Sequence, residues 1–164
     1  MLGSHCLPNH DSGIKQRKKG DEDMESTGRR LMFHGMVLFL LGLGTGFAEQ
    51  HFANVRMGLA AHLEGLMNGI FLMALGAIWH EVRLPSPVAS VVFRITLYGT
   101  YGNWLLTTLA AVFGTAALSP ITGAGHSGLP WQESLVTVGF LTVGITMVLS
   151  SVVVLWGLRA RVLR

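Results

Sequence analysis

The sequence predicts an all-α membrane protein, a bundle of four transmembrane helices with both termini cytoplasmic. Three observations lead there. Half of the 164 residues are hydrophobic and only 13% are charged, about half the charge fraction of an ordinary soluble domain. The charges crowd the ends: eleven fall in the first 30 residues and Arg159, Arg161 and Arg164 lie in the tail. Only Glu49, Arg56, Glu64, Glu81, Arg83, Arg94 and Glu133 remain for everything between. That interior is a series of apolar runs long enough to cross a bilayer. A soluble globular enzyme and a nucleic-acid binder are both excluded, because the net charge of +3 comes from the ends and not from a basic groove.

Residues 1–30 are hydrophilic and mixed in charge, which reads as a disordered, solvated arm without the apolar core of a signal peptide. Residues 31–48 form the first charge-free span. Residues 57–79 form the second and reach full length only by including His62 and Glu64. Residues 88–116 form the third, with Arg94 in its first turns, and residues 134–158 the fourth, with no charge. Residues 159–164 are a basic tail. Backbone groups exposed to lipid require helices or closed barrels, and strand alternation is absent. The side that holds both termini and the connection through Pro85 and Pro87 carries eleven basic residues, against Arg56 alone opposite. Both ends are therefore expected in the cytoplasm. Cys6 is the only cysteine, so an intrachain disulfide, a thiolate zinc site and covalent haem attachment are all excluded.

Polar residues kept inside the spans are the candidates for function. Gly35, Gly42 and Gly46 line one face of the first span, and Gly65, Gly69 and Gly76 one face of the second. Such stripes serve close helix packing, or the close approach of a flat ligand. His62 heads the second stripe, while Glu64 and Asn68 lie at i and i+4 on an adjoining face. On the third span Thr96, Thr100, Asn103 and Thr107 recur on one face, flanked by Tyr98 and Tyr101. Asn68 and Asn103 lie at similar depth, which points to an interhelical hydrogen bond or to a polar pocket. Gly139, Thr142, Thr146 and Ser150 on the fourth span read as packing. His34 and His80 are expected to face headgroups, and His126 to be exposed in the long outer loop.

Three stretches resemble a small membrane family, the hydroxylaminobenzene mutases. They are Arg30-Leu31-Met32-Phe33-His34-Gly35 with Leu41-Gly42-Leu43-Gly44, then Ala61-His62-Leu63-Glu64-Gly65-Leu66-Met67-Asn68-Gly69, then Gly99-Thr100-Tyr101-Gly102-Asn103-Trp104. The likeness covers residues 30–158 and is to the longer mutase type of bacterial nitroarene degradation. A more distant resemblance is to styrene oxide isomerase, through His34-Gly35, His62 with Asn68 and Gly69, and Asn103. That resemblance implies a homotrimer of the inner membrane with haem b between subunits, bound through the histidine matching His62. The isomerase's third-helix carboxylate and tyrosine align with Gly99 and Thr107, so neither role transfers.

The resemblance implies an isomerase that converts an aromatic hydroxylamine into an ortho-aminophenol, with ferric haem as a Lewis acid. Asn68 and Asn103 would orient the substrate, with Tyr101 or Tyr98 as stand-in for the missing tyrosine. Gly65 and Gly69 would line the cofactor face, and Glu64 would hydrogen-bond near His62 or a haem propionate. Three other readings compete: an epoxide isomerase, a four-span multidrug transporter using Glu64, and an electron carrier with two histidine ligands to haem.

Overall fold

The computed structural model describes residues 10–162, with side-chain surroundings for residues 24–159. Four helices follow one another: α1 (His10–Ala48), α2 (Val55–Ala77), α3 (Ser86–Phe113) and α4 (Pro130–Val162). Short 3-10 turns at Glu49–His51 and Trp79–Glu81 make the first two connections. There is no strand among the described residues. Three stretches are long and apolar enough to cross a membrane: Met24–His51, Val55–Ala77 and Pro130–Arg159. α3, at 28 residues, is about 42 Å long, but Arg94 and its threonines, tyrosines and Asn103 dilute its hydropathy.

Glycine sets the closest contact. Gly28, Gly35 and Gly42 of α1 face Gly76, Gly69 and Gly65 of the antiparallel α2. A methyl group on Gly42 would stand 2.8 Å from the Gly65 carbonyl carbon, and one on Gly35 would stand 2.7 Å from the Gly69 oxygen. Backbone meets backbone, so no side chain larger than hydrogen fits. The faces of Gly65 and Gly69 from which a side chain would project are thus filled, chiefly by α1.

The same register continues N-terminal to the first apolar span. α1 begins at His10 and runs through most of the segment read as a disordered arm; residues 1–9 lie outside the described residues. Gly28 is one heptad before Gly35 and packs on Gly76 and Trp79, while Met24 joins the apolar cluster around Trp79. The segment thus has a packing partner that its charge content concealed. The nearly fully buried Trp79 (1% exposed) plugs this end of the bundle beside Leu31, Val82 and Val92.

α3 packs on α2 along one side and on α4 along the other, meeting α1 more sparsely, through side chains such as Phe93, Tyr101 and Trp104. Its seam with α4 joins side chains to glycines, Met147 against Gly99 and Leu106 against Gly139. Hydrogen bonds add to it, between Thr96 and Ser150 and between Tyr98 and Thr142 (2.9 Å). α3 stops at Gly114, whose φ of 68° is the left-handed cap that glycine adopts without strain.

The long loop after α3 is pinned rather than loose. Glu133, in the first turn of α4, accepts the backbone N–H groups of Ala116, Ala117 and Gly128, each at 3.0 Å. Asn54 is wholly buried. Its Oδ1 caps α2 by accepting from Met57 N, and its Nδ2 donates to Thr122 O at 2.8 Å. His126 is exposed as expected, but its Nε2 donates to Ala53 O, tying the loop to the α1–α2 turn.

Candidate functional site

Glu64 is the centre of the polar interior. It sits nine residues into α2, about 14 Å along the helix axis, where an unpartnered carboxylate would be costly. Two carboxamides partner it. Asn68 Nδ2, one turn on, donates to Glu64 Oε2 at 3.1 Å, and Asn103 Nδ2 reaches the same oxygen from α3 at 2.5 Å. Asn68 and Asn103 thus meet through a carboxylate and not directly, which the sequence reading had not anticipated. Both amides are spent on Oε2. Glu64 Oε1 makes no hydrogen bond among the described residues, so one carboxylate oxygen is held rigid and the other is left to receive a partner.

Beside this clamp, Trp104 fills the junction of three helices. Its Nε1 donates to Thr45 Oγ1 at 2.9 Å, and that hydroxyl donates back to Leu41 O. A methyl group on Gly65 would come within 3.0 Å of the Trp104 ring, so the bare backbone of α2 lets the indole in. Thr45 escaped the sequence reading; its place beside Gly42 and Gly46 was the available signal.

His62 belongs to a different face. At 100° per residue, positions 62 and 64 point about 200° apart, and the contacts agree. Glu64 and Asn68 face α3, whereas His62 lies against α1, with its Nδ1 2.8 Å from Gly42 O. A carbonyl only accepts, so Nδ1 carries the proton and donates. Nε2 is then the lone-pair nitrogen, without a partner among the described residues. Gly46 makes the room: a methyl group there would stand 2.6 Å from His62 Nδ1. A histidine whose proton is fixed by a backbone carbonyl is prepared to ligate a metal through its other nitrogen. Among the described residues no three His, Cys, Asp or Glu side chains converge. A site built on His62 therefore suits a metal that brings most of its own ligands.

Tyr101 is likewise separate from the asparagines. Its hydroxyl donates to His34 O at 3.1 Å and stands 3.3 Å from His34 Nδ1, so it faces α1 and not Glu64. Tyr101, expected to act with Asn68 and Asn103, lies two residues from Asn103 and hence points to the other side of α3, toward His34. Glu64, expected beside His62, is instead engaged by the two amides.

The chain matches the family model for styrene oxide isomerase over residues 27–159. It is 43% identical to hydroxylaminobenzene mutase HabB of Ectopseudomonas oleovorans over 133 residues, 80% of this chain and 81% of that protein. It is 44% identical to hydroxylaminobenzene mutase HabA of the same organism over 108 residues, 65% of this chain and 80% of that protein. No solved structure is significantly similar to it. The matched region begins at residue 27, one position before the first glycine of the α1–α2 seam, and takes in His62, Glu64, Asn68 and Asn103. With that span and those identities, the chain belongs to the styrene oxide isomerase family.

Proposed function

We propose that this protein is a hydroxylaminobenzene mutase of the bacterial inner membrane, rearranging hydroxylaminobenzene to 2-aminophenol. The observation that carries this is its 43% identity to a hydroxylaminobenzene mutase over 80% of the chain. All four helices cross the membrane in this reading, with both termini on the basic, cytoplasmic side. α3 crosses despite its diluted hydropathy, because Thr96 and Tyr98 are turned onto α4, Tyr101 onto α1 and Asn103 onto α2, while Arg94 lies in its first turns.

The reaction is redox-neutral. The N–O bond breaks, a C–O bond forms at the ortho carbon, that carbon loses its proton and the nitrogen gains one. His62 Nε2 would hold ferric haem b, which supplies a Lewis acid to the hydroxylamine oxygen when bound. Glu64 Oε1 accepts the substrate N–H and orients the ring. Asn68 and Asn103 hold the carboxylate still through Oε2, so the site is organised before substrate arrives. Apolar neighbours exclude the water that would otherwise trap the aryl group at other positions.

His62 and Glu64 face opposite flanks of α2, and this favours a site completed by a neighbouring copy. In a homotrimer closed by head-to-tail contacts, the His62 flank of one subunit meets the Glu64 flank of the next. The substrate and haem then lie at each interface.

The test uses purified full-length protein with hydroxylaminobenzene carrying a labelled oxygen. The expected result is 2-aminophenol that retains the label, a haem Soret band, and loss of both band and turnover in His62→Ala. Co-assembled His62→Ala and Asn103→Ala chains should recover about a quarter of wild-type activity, the share of sites taking each intact residue from a different copy. A fully active His62→Ala would refute the ligand, and no recovery on co-assembly would refute the shared site.

A further inference from the structure

At the other end of the bundle, away from Glu64, a cavity of about 660 Å³ opens along α1. Glu25, Ser26, Arg29, Arg30, Phe33 and His34 line it. Its charges are not balanced. Glu25 is taken by Arg29, at 3.0 Å, and among the described residues Arg30 has no acidic partner. The Arg30 guanidinium lies over the Phe93 ring instead, 4.8 Å from its centre. Arg94, the next residue on α3, is exposed and also makes no ion pair among the described residues. Arg94 precedes Tyr101 by two turns, so it shares the face of α3 whose tyrosine closes on His34.

Arg30 immediately precedes Leu31, where the charged part of α1 gives way to its apolar part. Below it the wall is greasy: Phe33 is 67% exposed, and Val37 and Leu41 follow at successive turns. His34 contributes a polar step between the two zones. Its Nδ1 is engaged with Tyr101, and its Nε2 remains as an acceptor.

Two unpaired guanidinium groups above an apolar wall fit a phosphodiester carrying acyl chains better than a free anion. We propose that this cavity on α1, beside Phe93 and Tyr101 of α3, binds an anionic phospholipid, with the phosphate between Arg30 and Arg94 and an acyl chain along Phe33, Val37 and Leu41. The site is distinct from the Glu64 clamp and from His62, and it does not depend on the mutase reading.

The test is reconstitution of the full chain into nanodiscs of equal phosphatidylglycerol and phosphatidylcholine, followed by gentle detergent extraction and native mass spectrometry. The expected result is at least fivefold enrichment of retained phosphatidylglycerol. Arg30→Ala with Arg94→Ala should abolish the enrichment, and the paired lysine variants should keep most of it. Millimolar inorganic phosphate should not displace the lipid. Equal retention of the two lipids, unchanged enrichment in the double alanine variant, or displacement by inorganic phosphate would each overturn the proposal. Should the double variant not fold, Arg94→Ala alone, at an exposed position, carries the same test.

Discussion

Replacing Asn103 with alanine is the most incisive perturbation of the polar centre. It removes the shorter of the two bonds to Glu64 Oε2, the 2.5 Å contact from α3, and leaves the 3.1 Å contact from Asn68. A hydrogen bond to a charged group is worth about 1.5–3 kcal/mol. If that energy holds Glu64 in its reactive pose, turnover should fall by about ten- to a hundredfold, at roughly 1.4 kcal/mol per decade. Asn68→Ala should fall less, because its bond is longer and lies within one helix. Haem content should be untouched in both, since His62 is fixed by Gly42 on the opposite flank of α2. The assay is kcat for 2-aminophenol formation per haem, with haem counted from the Soret band. An Asn103→Ala enzyme within threefold of wild type would refute the argument that the clamp organises catalysis. Loss of haem in proportion to activity would refute the separation of the two faces.

Two further outcomes follow from packing. Gly42→Ala should lower stability by about 1–3 kcal/mol, read as an earlier thermal loss of the monodisperse chromatography peak, because its methyl group meets α2 backbone at 2.8 Å. Gly44→Ala, which meets nothing within 4 Å, should be neutral or slightly stabilising, and equal damage from both would sink the glycine-seam account. Glu133→Ala should loosen the loop between α3 and α4 by about 1 kcal/mol, allowing for solvent screening, and speed proteolysis there severalfold while leaving haem content unchanged. Unaltered cleavage would show that its three backbone bonds do not hold the loop.

The helices and their order were legible because apolar runs interrupted by Pro, Gly and short polar turns are a one-dimensional signal. The start of α1 was not, since the charges of residues 10–30 spoke for solvent while Gly28, the residue that docks the segment, looked like any other glycine. The opposition of His62 and Glu64 was legible in principle, because two positions on a helix point 200° apart whatever surrounds them. What spacing could not supply was the partner. Asn103 finds Glu64 across 39 positions and Tyr101 finds His34 across 67, and such pairings depend on how α1, α2 and α3 rotate against one another.

Those rotations are themselves fixed by glycine, which ties the packing to the chemistry. Gly42 lets α2 approach closely, and its carbonyl is the group that fixes the proton of His62. Gly46 vacates the volume that the imidazole occupies, and Gly65 vacates the volume that Trp104 occupies beside the clamp. A larger residue at any of the three would push α1 from α2 or turn a functional side chain out of its seat. Glycine in an exposed helix interior ordinarily weakens the helix by about 1 kcal/mol. Here the lost propensity is offset by contact along the whole seam, and the positions of His62 and Glu64 depend on that contact. The α1–α2 seam therefore belongs, in a physical sense, to the site proposed around His62 and Glu64.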